Sequence, residues 1–158
     1  MATAVSGPDA RETSGMTTRL ILAYVRRTAG EAAVTRVYEQ ADVPEALAHL
    51  EDEHSWSSYR TKVALLEASA AVLEDSEAPR RIGELTLDES VGSALKVVVS
   101  LAGSPSQALR RVDRLVGKFS TVARMRPLTV EKGHGVVGYR MLDGYTPHAV
   151  NCAFNLGV

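Results

Sequence analysis

The residues able to do chemistry are few. The soft ligands are four histidines (His49, His54, His134 and His148) and a single cysteine, Cys152. His148 and Cys152 stand four apart, which would align them on one helical face, but two ligands make an incomplete zinc site. Pro147 opens that segment, so His148 falls in a first turn, where the helix dipole disfavours an imidazolium. A small buried cysteine beside a capping-region histidine is the simpler reading. Glu51-Asp52-Glu53-His54 supplies the types needed for a metal or acid–base site. Consecutive helical residues point in different directions, so the run reads as a solvated helix end. No G-x-S-x-G, P-loop, H-E-x-x-H or C-x-x-C spacing is present. Gly133, Gly135 and Gly138 do not open a helix after a strand and read as turn residues.

Two further groups carry binding chemistry. Trp56 and Tyr59, three apart, could form a stacking wall for a ligand or anchor a helix start in the core. Lys118, Arg124, Arg126, Lys132 and Arg140 give the last quarter of the chain a basic lean, with Phe119, Tyr139 and Tyr145 among them. Phosphate contacts and base stacking would use these types. The charges are expected on both faces of a hairpin, as ordinary solvated positions.

The elements that must position these residues follow from the apolar periodicity. Thr17-Thr18 can cap a helix holding Leu20, Ile21, Tyr24 and Val25 on one side, with Gly30 as its stop. Glu31 to Ala41 predicts a second helix. Asp42 with Pro44 reads as the cap and first turn of a short third one. Ser57 or Ser58 can cap the strongest helix, whose stripe is Tyr59, Val63, Leu66, Ala70 and Leu73. Asp75-Ser76 caps a short helix that contains Pro79 near its start and ends near Leu85. A further helix is expected from Ser90 to Ala102, although Val97-Val98-Val99 would also suit a strand. After the Gly103-Ser104-Pro105 break comes a helix to Phe119. Ser120 to Glu131 and Val136 to Leu142 then read as one antiparallel hairpin, with Pro127 marking an edge or bulge. Pro147 to Val158 begins a last helix with Ala149, Cys152, Ala153 and Leu156 near one face. Residues 1–15 lack periodicity and read as a disordered leader, leaving 16–158 as one domain.

This order predicts an α+β fold, helix-rich at its N-terminal end, with helices packed on an antiparallel β-hairpin or small sheet. The composition agrees: 158 residues, 45% hydrophobic, 23% charged and a net charge of −1 suit one globular core. Near-neutral charge gives no global pull toward nucleic acid. Apolar runs are too short to span a membrane, and no apolar leader marks export, so a cytoplasmic protein is expected. The chain stops within an apolar segment, which points to a piece of a longer protein.

Trp56-Ser57-Ser58-Tyr59-Arg60-Thr61-Lys62, Gly103-Ser104-Pro105, Lys118-Phe119-Ser120-Thr121 and Gly144-Tyr145-Thr146-Pro147-His148 resemble the amino-terminal sensory domain of bacterial, often actinobacterial, signalling proteins. There the domain precedes a cyclase-type or kinase-type output module. Cys152-Ala153-Phe154-Asn155-Leu156-Gly157 is similar to the penultimate helix of vinyl-reductase-like small-molecule-binding domains, in a group with the TRAPP-type adaptors and haem nitric-oxide sensors. The resemblance spans about residues 17–158. It implies helices on an antiparallel sheet around an apolar pocket or a dimer face, and a hydrophobic ligand. Some members hold zinc through several cysteines; this chain has one, so no metal is expected. The haem branch's Y-x-S-x-R is absent, since Arg60-Thr61 follow Tyr59, and no cofactor is expected.

The function read here is a non-catalytic sensory domain that binds a hydrophobic small molecule and controls an output module in the same or a partner chain. It would act as a homodimer, with neither nucleic acid nor membrane as partner. The pocket is expected from Trp56, Tyr59, Phe119, Met125, Tyr139 and Cys152. The alternative is a ligand-free dimerisation module marked by an exposed apolar patch at Leu20, Ile21 and Tyr24. An enzyme built on His148 or the Glu51–His54 run is the weakest reading, since no catalytic geometry can be assembled from the spacing.

Overall fold

The structure is a computed structural model, and it describes residues 10–87, 107, 110–131 and 134–157. Among them the order is β1 (Thr13–Ser14), α1 (Gly15–Ala29), α2 (Glu31–Ala41), α3 (Leu47–Glu51), β2 (Trp56–Ser57), α4 (Tyr59–Val72) and α5 (Ala78–Glu84). A 3-10 turn at Leu85–Leu87 follows, then α6 (Val112–Val116), β3 (Ala123–Glu131), β4 (His134–Met141) and α7 (Ala149–Gly157). The class is α+β, with two small antiparallel sheets, β1–β2 and β3–β4.

Helix α1 forms the middle of the core. Ile21, Leu22 and Val25 are fully buried, packed with Val34 and Val37 of α2, Leu50 of α3, Leu65 and Leu66 of α4, Ile82 of α5 and Phe154 of α7. Ser14 caps α1 by accepting from the Met16 amide. Gly30, at φ 79°, turns the chain into α2, a left-handed conformation that glycine adopts without a Cβ penalty. Arg26 donates to both Glu31 and Glu51, joining α1, α2 and the end of α3. Thr18 Oγ1 donates to the Leu50 carbonyl at 2.7 Å in the interior.

Several expectations need correction. The ordered chain reaches back into the expected leader: Ala10 is buried, and Thr13 and Ser14 pair with Ser57 and Trp56. Two residues held by backbone pairing leave no periodicity to read. Asp42 does not start a helix; it ends α2 in the left-handed region at φ 45°, which aspartate tolerates. Helix α3 begins only at Leu47. In α4 the deeply buried residues are Thr61, Lys62, Leu65, Leu66, Ala68 and Ser69, with Tyr59, Val63, Ala70 and Leu73 only half-buried. Hydrogen bonds let the two hydroxyls join the core: Ser69 donates to the Leu65 carbonyl, and Thr61 donates to Glu45. Along α7 the buried residues are Asn151 and Phe154, while Cys152 is exposed and Leu156 is 82% exposed.

The hairpin is present. Ala123 faces Met141, Arg124 faces Arg140 and Met125 faces Tyr139, and the register shifts between Pro127 and Thr129. Leu128 is the extra residue of that bulge. Its base buries Val122, Ala123 and Met141 in a second apolar cluster, against which Tyr59 and Tyr145 pack. The Ser90–Ala102 helix, Val97-Val98-Val99, the Gly103-Ser104-Pro105 break and the Lys132-Gly133 turn lie outside the described residues.

Candidate functional site

Two clefts flank the N-terminal half of α4 and share Ser58, Arg60 and Val63 in their walls. Ser58 fixes this helix end: its hydroxyl accepts from the Thr61 amide at 3.0 Å. The smaller cleft, about 300 Å³, lies between α4, Glu12 and the turn 144–148. Gly144, at φ 94°, makes that turn possible. The Glu12 carboxylate holds the rim together, accepting from the Tyr59 amide at 2.7 Å and the Tyr145 hydroxyl at 2.6 Å. The two tyrosine rings meet edge to face, centroids 6.1 Å apart, and Tyr59 donates to the Thr146 carbonyl. The Glu12 hydrogen bond, aided by burial, pushes the Tyr145 phenol up to about 12, so it stays a donor at neutral pH. His148 closes the far side with Nε2 3.4 Å from Glu67. The larger cleft, about 640 Å³, runs between the 41–44 turn and α4, from Ala41 to Glu67.

A second polar centre lies where α4, α7 and β4 converge. The Lys62 ammonium sits 4.2 Å from the Phe154 ring centroid and is 7% exposed. Among the described residues no carboxylate forms an ion pair with it. Burial alone pushes this amine down to about 7. Nearby, Asn151 donates to the Tyr139 hydroxyl at 3.2 Å, and that hydroxyl donates to the Met141 sulfur. Among the described residues, Asn151 Oδ1 and His148 Nδ1 are buried without a hydrogen-bond partner. Unpaired buried polar atoms each cost stability.

Of the six expected pocket residues, only Tyr59 lines a described cleft. Tyr139 and Cys152 lie close enough to Tyr59 that, after burial, their charge is the next influence raising its pKa. Met125 is the cross-strand partner of Tyr139. Trp56 and Phe119 stand apart, at the β1 edge. Arg11 lies 5.3 Å from the Trp56 ring centroid, and the Phe119 carbonyl accepts from Ser14. Sequence reasoning did not single out Glu12 or Lys62, and it read Val63 as part of the α4 core stripe and Tyr145 as one of the aromatics among the basic residues. Glu12 gave no signal; Lys62 gave one, a lone lysine in phase with Leu65 and Leu66.

The expected chemical clusters disperse. His148 and Cys152 are on one helical turn, the Cys152 amide donating to the His148 carbonyl, but the imidazole faces Glu67 and the thiol is exposed. Glu51 pairs with Arg26, Glu53 with Arg19, and Asp52 accepts from the His54 amide. Among the described residues no group of three His, Cys, Asp or Glu side chains is placed to hold a metal. No described helix is long and apolar enough to cross a membrane. The chain matches no protein-family model, no curated protein and no solved structure.

Proposed function

We propose that the chain is a non-catalytic regulatory domain that binds a small, largely apolar molecule and transmits its occupancy to an output module in the same or a partner chain, in the cytoplasm. The observation that carries this reading is the cleft of about 300 Å³ between Tyr59 and Tyr145. It has the size of a small-molecule site. Its walls join three distant parts of the chain: Glu12, the start of α4 and the 144–148 turn. Two aromatic rings and Val63 supply an apolar wall, with Arg60, Glu12 and His148 as the polar groups that would orient a ligand. A ligand there would bear on α4 and, through the tyrosines, on the hairpin base. That route links occupancy to a change of packing.

The test is thermal unfolding with a library of apolar and aromatic small molecules, repeated on Val63→Trp, which fills the cleft. A bound ligand at a hundred times its Kd should stabilise by about 2.7 kcal/mol, and V63W should abolish the shift. No shift with any member, or a shift that V63W leaves unchanged, would overturn the reading. The ligand-free dimerisation reading has lost its marker, since Leu20, Ile21 and Tyr24 lie in the core.

A further inference from the structure

The hairpin sorts its side chains in a way that simple solvation does not explain. Arg124 lies directly across from Arg140, and Arg126 follows two residues on, so all three share one face. Like charges placed opposite each other on a sheet destabilise it. Among the described residues no carboxylate forms an ion pair with any of them; Arg124 donates to its neighbour's carbonyl at Ala123. The same face carries two large apolar side chains. Val136 is two residues before Gly138 on β4 and 40% exposed. Leu128, thrown out by the bulge, is 68% exposed and lies over Gly138, on the side where a Cβ would project. The opposite face holds the buried Ala123 and Met141.

The charge of the whole chain is divided accordingly. Residues 110–141 contain eight Lys or Arg against two acids, a net +6, so the remainder carries −7 within a total of −1. Such separation produces a directed field. Both described clefts lie along α4, and neither is lined by this face.

We propose that the outer face of the β3–β4 hairpin docks on an anionic lipid bilayer. Arg124, Arg126 and Arg140 would take the headgroup phosphates, and Leu128 and Val136 would enter the interface. Charge complementarity relieves the Arg124–Arg140 repulsion. A fluid interface requires no shape complementarity, which suits a face without a groove. A nucleic-acid duplex would use the arginines but leave Leu128 and Val136 without a partner.

The experiment is co-sedimentation of the full chain with phosphatidylcholine vesicles, with and without about a third phosphatidylserine, at low and high salt. Binding is expected only with phosphatidylserine, and it should weaken as salt rises. The triple variant R124Q/R126Q/R140Q should bind roughly a hundredfold less, since each arginine near such a surface contributes about fivefold. Removing a like-charge pair should leave its thermal unfolding unimpaired, and L128S, a separate variant, should lower binding severalfold while keeping the arginines. Equal binding to both vesicle types, no binding to either, or unchanged binding by the triple variant would overturn the proposal. So would arginine-dependent binding of a random-sequence DNA duplex with no binding to vesicles.

Discussion

Replacing Lys62 by methionine probes the second polar centre. The lysine is 7% exposed and faces an aromatic ring rather than an acid. Burial lowers its pKa from 10.5 to about 7. Between those values the unfolded chain still holds the proton and the folded chain has released it, so stability rises with pH across this window. Below pH 7 both states are protonated, and stability sits on its lower plateau. A displacement of about 3.5 pKa units corresponds to about 5 kcal/mol, of which about 3 would be regained by pH 9.5. The Phe154 ring offsets about 0.5–2 kcal/mol of the cost by attracting the ammonium. Methionine keeps the volume of the stem without the charge. Lys62→Met should therefore be more stable than the parent at pH 7, by about 3 kcal/mol. It should also lose most of the rise between pH 7 and 9.5. Urea unfolding followed by circular dichroism at several pH values reads both quantities, and an unchanged m-value checks that the same transition is compared. The window closes near pH 10, because Tyr145 has its pKa raised to about 12. Its contribution is complete below the unfolded value and is lost as pH rises through the folded one. A parent whose stability is flat from pH 7 to 9.5, with K62M weaker at every pH, would refute the reasoning.

Three other substitutions test the site and its supports. Tyr145→Phe removes the donor to Glu12 and should cost about 1.5–3 kcal/mol in urea unfolding near neutral pH; an effect below about 0.5 kcal/mol would show that water replaces it. Thr61→Val strips the buried Glu45 carboxylate of its hydroxyl donor and should lower stability by about 1.5–3 kcal/mol, whereas an unchanged midpoint would mean that Glu45 finds another donor. Gly83→Ala places a methyl against the Phe154 carbonyl and should destabilise by about 1–3 kcal/mol, with faster amide exchange confined to α7; protection as in the parent would show that α5 and α7 separate without cost.

The helices around α1 were legible because their signals are local. Apolar spacing, Gly30 and Ser58 mark the α1–α2 boundary and the start of α4 within a few residues. The hairpin was legible for the same reason, with Pro127 announcing the bulge. The cleft was not, because its parts are 47 and 133 residues apart in the bonds Glu12 makes to Tyr59 and Tyr145. Nothing near Glu12 hints at those partners. Cys152 was misplaced because helical spacing fixes which residues share a face, not which face turns inward. Phe154 and the glycine contact with α5 decided that. The arginines were expected on both faces because the register that sets Arg124 opposite Arg140 depends on strand pairing.

The close seat of α7 has a consequence for the order of events in folding. Gly83 and Gly157 let the backbones of α5 and α7 touch directly, although the two residues are 74 positions apart. Contacts among α1, α2, α3, α4 and α5 close much shorter loops, so that part of the chain can assemble first. The α5–α7 contact closes a much longer loop and carries the larger closure entropy. If the contacts of α7 form after the rate-limiting step, strengthening them is expected to slow unfolding while leaving the folding rate nearly unchanged. On that expectation the nine-residue helix acts on the lifetime of the native state rather than on how fast that state is reached.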